Sequence, residues 1–266
     1  MFNAFKHILK PKFNYKYIYK LGEGANSNVY KVKSNETSNF YTCKRFKKYK
    51  KENALNEIKI LKNIKTNNNC LPKYHKLIEY EKSLYLLTNY IDGIELFDKF
   101  YSNKKKKINE IEAKKNIHKM ILCIEECNKN NIIHLDIKPE NFIYSNNGKI
   151  KLIDFGCSQI FDNKNNIYCL NSKKIGTASY CSPEILYKNY YHINSDVWSL
   201  GVCIYGILTK KKIFNEFEIN NPEKKFKELE IFTPELQDLL QKIFLTNPRN
   251  RIYLEDIKKH KWFDNL

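Results

Sequence analysis

A chain of 266 residues with 42% apolar side chains can form one large domain or two moderate lobes, each with a core of its own, so disorder along the whole length is excluded. Its formal charge of +18 leaves three readings open: a nucleic-acid binder, an enzyme drawn to acidic partners or membrane, or a bias toward lysine and asparagine. The scatter of the runs Lys47-Lys48-Tyr49-Lys50-Lys51, Lys104 to Lys107 and Lys210-Lys211-Lys212 favours the last, and no nucleic-acid partner is expected. No apolar run is long enough to span a bilayer, no leader or lipidation signal is present, and the eight cysteines show no paired CxxC spacing. The expected setting is intracellular and reducing, cytoplasmic with the nucleus also open, and with no membrane anchor.

In chain order, residues 1–14 read as a short basic extension. Residues 15–45 alternate polar positions with Tyr15, Tyr17, Tyr19, Val29, Val32, Phe40 and Thr42, which predicts antiparallel strands broken at Gly22 and Gly24. From Glu52 to Lys65 the apolar residues Leu55, Ile58, Leu61 and Ile64 recur at helical spacing. Ser83 to Tyr90 returns to an apolar strand, and Asp92-Gly93 breaks it at the best candidate for a lobe boundary. Beyond it, Asn109 to Asn130, Asp196 to Thr209 and Pro234 to Phe244 are expected helices, so the second lobe is mainly helical.

Three constellations carry chemistry. Leu21-Gly22-Glu23-Gly24-Ala25-Asn26-Ser27-Asn28-Val29 is a glycine-rich turn whose bare backbone suits phosphates, yet Ser27 stands where a third glycine is expected, and taken alone the turn is better explained as a plain hairpin. Tyr41-Thr42-Cys43-Lys44 ends a strand with a lysine that needs an anionic partner, for which Glu57 on the following helix is the candidate. His134-Leu135-Asp136-Ile137-Lys138-Pro139-Glu140-Asn141, followed by Ile153-Asp154-Phe155-Gly156, supplies what phosphoryl transfer to an alcohol requires: a carboxylate for the hydroxyl, a cation for the phosphoryl group and oxygen ligands for magnesium.

In this order, from Tyr15 to Phe263, the sequence resembles the eukaryotic protein kinase family, serine/threonine branch. It is most similar to the calcium/calmodulin-dependent group through Tyr85-Leu86-Leu87-Thr88, Gly93-Ile94-Glu95-Leu96-Phe97-Asp98 and His260-Lys261-Trp262-Phe263. The resemblance implies an α+β, bilobal fold over residues 15–264: a small antiparallel sheet with one helix through residue 91, then a larger helical lobe over 92–264. It also implies ATP and Mg2+, with Asp136 as base, Lys138 on the transferring group, Thr177 bonded to both, and Asn141 and Asp154 on the metal. By motif position, Lys44 takes the α- and β-phosphates while paired to Glu57, the turn from Leu21 to Val29 covers them, and Val29, Thr42 and Ile143 flank adenine. Thr88 is the gatekeeper and Asn89, Tyr90 and Ile91 the hinge, while His134, Phe155 and Leu61 match an internal hydrophobic spine. Asp196 is expected to cap the catalytic-loop backbone and Glu184 to pair with Arg251.

Protein substrates are implied, and Lys138 with Gly176-Thr177 matches serine/threonine specificity. Glu95 and Glu140 match positions that receive an arginine before the acceptor; a close carboxylate pair outweighs a diffuse positive field screened beyond about 10 Å, so a mild basophilic preference is expected. Leu135 stands where most relatives carry an arginine that awaits an activation-loop phosphate, so activity is expected without strict dependence on phosphorylation of residues 157–175, Ser172 and Tyr168 remaining open as sites. No DxDxDG calcium loop occurs, and none of the docking surfaces of relatives is assumed for residues 209–234. A monomer is expected. A pseudokinase scaffold is the alternative, although it predicts loss of Lys44, Asp136 or Asp154, all of which are present.

Overall fold

The computed structural model describes residues 13–24, 27–46, 51–65, 69–81, 83–102, 108–161, 167–169, 175–215, 218–264 and 266. Ala25 and Asn26 of the glycine turn, Ser172, the side chain of Tyr168, and most of the extension and of the first two lysine runs lie outside the described residues. The chain divides into two compact units, one ending at Lys62 and resuming over Pro72–Ile91, the other comprising Asn63–Leu71 and Asp92–Leu266.

The first unit is a five-stranded antiparallel sheet with one helix. β1 (Tyr15–Glu23), β2 (Ser27–Ser34), β3 (Phe40–Phe46), α1 (Lys51–Asn63), β4 (Tyr74–Tyr80) and β5 (Ser83–Asn89) follow in sequence, and the strands lie in the order β1-β2-β3-β5-β4. The period-two pattern puts Val32, Cys43, Ile78, Tyr85 and Leu87 on one buried face, beneath Phe13, Tyr15, Tyr30, Tyr41 and Tyr80. The α1 stripe differs from the expected one. Ala54, Glu57, Ile58 and Leu61 are buried, whereas Leu55 is 55% exposed. A count of apolar residues passes over Glu57, a carboxylate that can occupy the buried stripe because Lys44 neutralises it.

The second unit does not begin cleanly at Asp92. Asn63–Leu71 belongs to it, held where Lys65 N–H donates to Asn130 Oδ1 (2.7 Å), Asn130 Nδ2 donates back to Lys65 O (3.1 Å) and Leu152 N–H donates to Cys70 O (2.9 Å). The contiguous first lobe expected through residue 91 is therefore interrupted by a segment whose backbone groups are satisfied elsewhere. From Asp92 onward come β6 (Gly93–Glu95), α2 (Leu96–Tyr101), α3 (Glu110–Lys129), β7 (Ile132–Ile133), β8 (Phe142–Ser145), β9 (Ile150–Leu152), β10 (Gln159–Ile160), β11 (Ile167–Cys169), α4 (Pro183–Lys188), β12 (Tyr190–His192), α5 (Ser195–Thr209), α6 (Pro234–Ile243) and α7 (Leu254–Ile257).

Asn109 caps α3 by accepting from Glu112 N–H (2.8 Å). The central helix is α5, buried from Ser195 to Ile207. α6 lays Leu236, Leu239, Leu240 and Ile243 against it at i, i+3, i+4 and i+7, each burial contributing roughly 1.5–3 kcal/mol. Gly201 permits this approach, since a Cβ there would lie 2.4 Å from Ile243 Cγ2 and 2.9 Å from Phe244 Cε1. Three small antiparallel sheets, β6-β8-β9, β10-β7 and β11-β12, position the loops between the helices. Among the described residues no helix is long and apolar enough to cross a membrane.

Candidate active site

In the second unit, β7 delivers the chain into a loop fixed by a buried carboxylate. Asp196, at the start of α5 and 1% exposed, accepts from His134 N–H (2.7 Å, Oδ2) and Leu135 N–H (2.8 Å, Oδ1). Burial pushes its carboxyl up, against those two N–H groups. His134 Nε2 lies 3.1 Å from Ile153 O, which can only accept, and Asp136 N–H, which can only donate, lies 3.3 Å from Nδ1. The ring is therefore the neutral Nε2–H tautomer, and it tethers the 134–141 loop to the 153–156 loop. Phe155, 1% exposed, meets the same ring edge to face at 5.1 Å.

Asp136 is 8% exposed, and both of its carboxylate oxygens accept hydrogen bonds. Thr177 Oγ1 donates to its Oδ1 (2.7 Å), Lys138 Nζ pairs with its Oδ2 (2.8 Å), and Lys138 also donates to Thr177 Oγ1 (2.8 Å). Burial opposes the charge on Lys138, but the bond to Asp136 and the charges of Asp136, Glu140 and Asp154 outweigh it and push the ammonium up. Asn141 Nδ2 donates to both Asp136 O (2.7 Å) and Asp136 Oδ2 (3.0 Å), which leaves the amide oxygen, Oδ1, to face a cation. Asp154 is exposed, with φ +62°, and accepts from Gly156 N–H (3.2 Å).

Leu135 occupies a left-handed conformation (φ +63°) that costs a leucine roughly 1–2 kcal/mol. Its side chain, 3% exposed, repays this in a cluster with Ile133, Phe161, Cys181, Ile185 and Tyr191, against which Cys157 and Ile175 also pack. Gly176 (φ +78°) closes this cluster from the other side; a Cβ there would meet Leu135 O at 2.3 Å. The loop bearing Thr177 is thus docked on Leu135 by apolar contact.

Glu95, at the end of β6, and Glu140 are electrostatic neighbours: burial pushes the Glu95 carboxyl up, and Asp98 and Glu140 add to the rise. Glu140 Oε2 is buried without a hydrogen-bond partner. Tyr101 and Tyr180, which sequence reasoning misses, have hydroxyls pushed up first by burial and also by the charge of Glu140. No local motif marks them, because they reach Glu140 from different segments. Nearby, Glu184 and Arg251 form a doubly bonded pair at 2.8 and 2.9 Å, both side chains 0% exposed, and Ser195 Oγ donates to Glu184 (2.8 Å).

In the first unit, Lys44 Nζ donates to Glu57 Oε1 at 2.8 Å, with the two side chains 14% and 4% exposed. Register pairs Val29 with Lys44, Thr42 with Thr88, and Tyr41 with Asn89. Asn89 is held by Lys73 N–H on its Oδ1 (2.6 Å), and Tyr90 shares a hydroxyl contact with Tyr19 (3.2 Å); Ile91 follows, half-buried. In the glycine turn Leu21 is exposed, Gly22 and Glu23 pair with Val29 and Asn28, and Gly24 N–H donates to Ser27 O (2.8 Å). A Cβ on Gly22 would meet nothing within 4 Å, so the backbone there stands open. Ser27 heads β2 and is 3% exposed. In the second unit, Ile143 sits on β8 opposite Glu95.

The family model described as the protein kinase domain matches residues 15–263. Among curated proteins the chain is 28% identical over 255 residues to CBL-interacting serine/threonine-protein kinase 8 of Arabidopsis thaliana, covering 91% of the chain and 56% of that protein. It is 31% identical over 261 residues to a probable serine/threonine-protein kinase, KIN1 homolog, of Enterocytozoon bieneusi (93% and 42%), and 31% identical over 221 residues to the carbon catabolite-derepressing protein kinase of Secale cereale (80% and 43%). The chain spans about half the length of these relatives.

Proposed function

From the premise that the chain belongs to the protein kinase domain family, we propose that it transfers the γ-phosphoryl group of ATP to serine or threonine hydroxyls of protein substrates, acting as a monomer. Its relatives are serine/threonine kinases of the calcium/calmodulin-dependent group, and the pseudokinase alternative has no support, since Lys44, Asp136 and Asp154 are all retained. One observation carries the reading: Asp136, Lys138, Asn141 and Thr177 form a single hydrogen-bonded network around one buried carboxylate. A carboxylate held by three donors accepts the hydrogen bond of an incoming hydroxyl in a fixed direction and takes its proton as the new O–P bond forms. Lys138, kept charged by Asp136, would stabilise the charge developing on the transferring oxygens.

The family uses ATP and Mg2+, and the residues here fit them. Toward Mg2+ the chain would offer the Asp154 carboxylate and the Asn141 amide oxygen, as suits an ion that keeps waters and phosphate oxygens. When bound, the ion would neutralise phosphate charge. Lys44, aimed by Glu57, would contact the α- and β-phosphates beneath the turn from Leu21 to Val29, which includes Ala25 and Asn26. Val29, Thr42 and Ile143 would flank adenine, with Thr88 as gatekeeper and Asn89, Tyr90 and Ile91 as hinge.

The partnerless oxygen of Glu140 beside Glu95 supports a mild preference for a substrate arginine, whose fork would satisfy both carboxylates. The apolar burial of Leu135 supports activity without strict dependence on loop phosphorylation. The test incubates the chain and its Asp154→Ala variant with Mg-ATP and a generic basic protein; transfer by the first alone supports the enzyme, and transfer by neither removes it. Peptide arrays selecting acidic residues around the acceptor would overturn the arginine preference, and loss of activity on phosphatase treatment would overturn the independence from phosphorylation.

A further inference from the structure

A half-buried lysine in the first unit is held by aromatic rings, not by a carboxylate. Lys31, in the middle of β2, shares a face with Val29, while Val32 beside it is buried on the other. Its ammonium lies 4.1 Å from the ring centroid of Tyr90, 4.5 Å from that of Phe40 and 5.5 Å from that of Tyr19. The rings come from three places: Tyr19 stands opposite Lys31 on β1, Phe40 opens β3, and Tyr90 follows β5. Tyr19 and Tyr90 also meet through their hydroxyls at 3.2 Å. Among the described residues Lys31 makes no ion pair, so the ring faces are what attract its charge.

We propose that Lys31 is a positioning residue for nucleotide binding, whose ammonium, gripped by Tyr19, Phe40 and Tyr90, pins the hinge to the sheet before ATP arrives. Tyr90 is the middle one of the three hinge residues. Asn89 before it is tied from the opposite side, since Lys73 N–H donates to Asn89 Oδ1 (2.6 Å) and Asn89 N–H donates to Lys73 O (3.1 Å). Lys73 leads into β4, one edge of the sheet, and Tyr19 lies on β1, the other edge. The hinge backbone is thus fastened toward both edges, and Lys31 carries the fastening on the β1 side. A backbone already ordered loses less conformational entropy when adenine binds, so the clasp raises affinity without touching the transferred phosphoryl group. The proposal rests on the reading of Asn89, Tyr90 and Ile91 as the ATP hinge.

The surroundings set this lysine apart from its neighbours. Tyr19 and Phe40 are 49% and 44% exposed, large rings that the core does not use, and the lysine stem gives them an apolar surface to cover. Register brings the group together: Tyr19 pairs with Lys31, Lys31 with Thr42, and Thr42 with Thr88 near the end of β5. Lys33, two positions along the same strand, lies over Phe40 alone, at 5.7 Å. It shows what strand position by itself gives a lysine here, and it does not reach the hinge.

The test measures Mg-ATP affinity by titration without substrate, KM for ATP and kcat by phosphate transfer, and hydrogen exchange over residues 85–91 in the nucleotide-free chain. Lys31→Gln should weaken Mg-ATP binding and raise KM about fivefold, with kcat within about twofold, and should speed exchange of the hinge amides. Lys31→Arg, which keeps a cation over the rings, should stay within about twofold of the parent in all three. Lys33→Gln removes the same charge two residues away and should change nothing, which separates the clasp from a general attraction for phosphate. In a Tyr90→Leu background the further loss from Lys31→Gln should vanish. Mg-ATP binding by the parent that is indifferent to Lys31→Gln, a loss that Lys31→Arg does not rescue or that persists beside Tyr90→Leu, or an equal loss in Lys33→Gln overturns the proposal and leaves the kinase reading standing. Failure of the unmodified chain to bind Mg-ATP removes both.

Discussion

Replacing Arg251 by methionine is the sharpest test of how the second unit is held together. Its guanidinium makes two bonds to Glu184 and three more to Asn194 O and Leu245 O, all inside the unit. Arg251→Met leaves Glu184 as an uncompensated carboxylate at 0% exposure, which costs about 3–5 kcal/mol. Against a total of roughly 5–15 kcal/mol, the unit should be left marginal. With a urea slope of about 2 kcal/mol/M, the midpoint falls by about 1.5–2.5 M. Both tryptophans, Trp198 and Trp262, lie in the second unit, and Arg251 sits 5.1 Å from the Trp198 ring centroid, so tryptophan fluorescence reports this unit specifically. Burial raises the Glu184 carboxyl, but the Arg251 charge and bonds outweigh it, so its folded pKa lies below the ordinary 4.5. That contribution is present above pH 4.5 and fades as pH falls through the folded value, so the gap between parent and variant should narrow in acid. Glu184→Leu combined with Arg251→Met should recover part of the loss by removing both charges. A loss below about 1 kcal/mol for Arg251→Met, or a gap that widens in acid, would refute the reasoning.

Three further outcomes are expected. His192, 0% exposed and lowered by burial to about 4, binds protons more readily unfolded, so stability should rise with pH between about 4 and 6.5 by up to roughly 3 kcal/mol; urea midpoints across that range should flatten in His192→Phe. Gly176→Ala drives a Cβ to within 2.3 Å of Leu135 O at φ +78°, displacing Thr177, and transfer rates should fall by at least about tenfold while circular dichroism stays near native. Lys44→Met leaves Glu57 buried without its lysine and should lower kcat by about 10²–10³, measured by steady-state phosphate transfer, with no recovery in Lys44→Met combined with Glu57→Gln.

Much of the site is legible in the chain itself because its residues come in short runs whose internal spacing fixes their geometry. Asp136, Lys138 and Asn141 sit within six positions, and a single loop conformation brings all three together. Lys44 and Glu57 are thirteen apart, but a strand followed by a helix has few ways to pack, and a buried lysine requires a carboxylate. The α3, α5 and α6 helices follow from apolar periodicity and capping, as Asn109 shows. Other features depended on distant segments meeting. Leu55 turns outward on α1 because pairing with Lys44 makes Glu57 a core residue, and no hydrophobicity count assigns a carboxylate to a core. Asn63–Leu71 joins the second unit because its backbone groups find partners at Asn130 and Leu152, more than sixty positions away. Tyr101 and Tyr180 around Glu140 are likewise invisible locally. In the sequence Leu135 is a missing arginine; only the fold, by burying it at φ +63° among Phe161, Cys181 and Ile185, makes it the apolar seat of the loop that carries Thr177. Sequence periodicity and short-range spacing determine which elements form and which catalytic groups share a loop, whereas desolvation, which makes charges seek partners, is a property of the assembled interior alone.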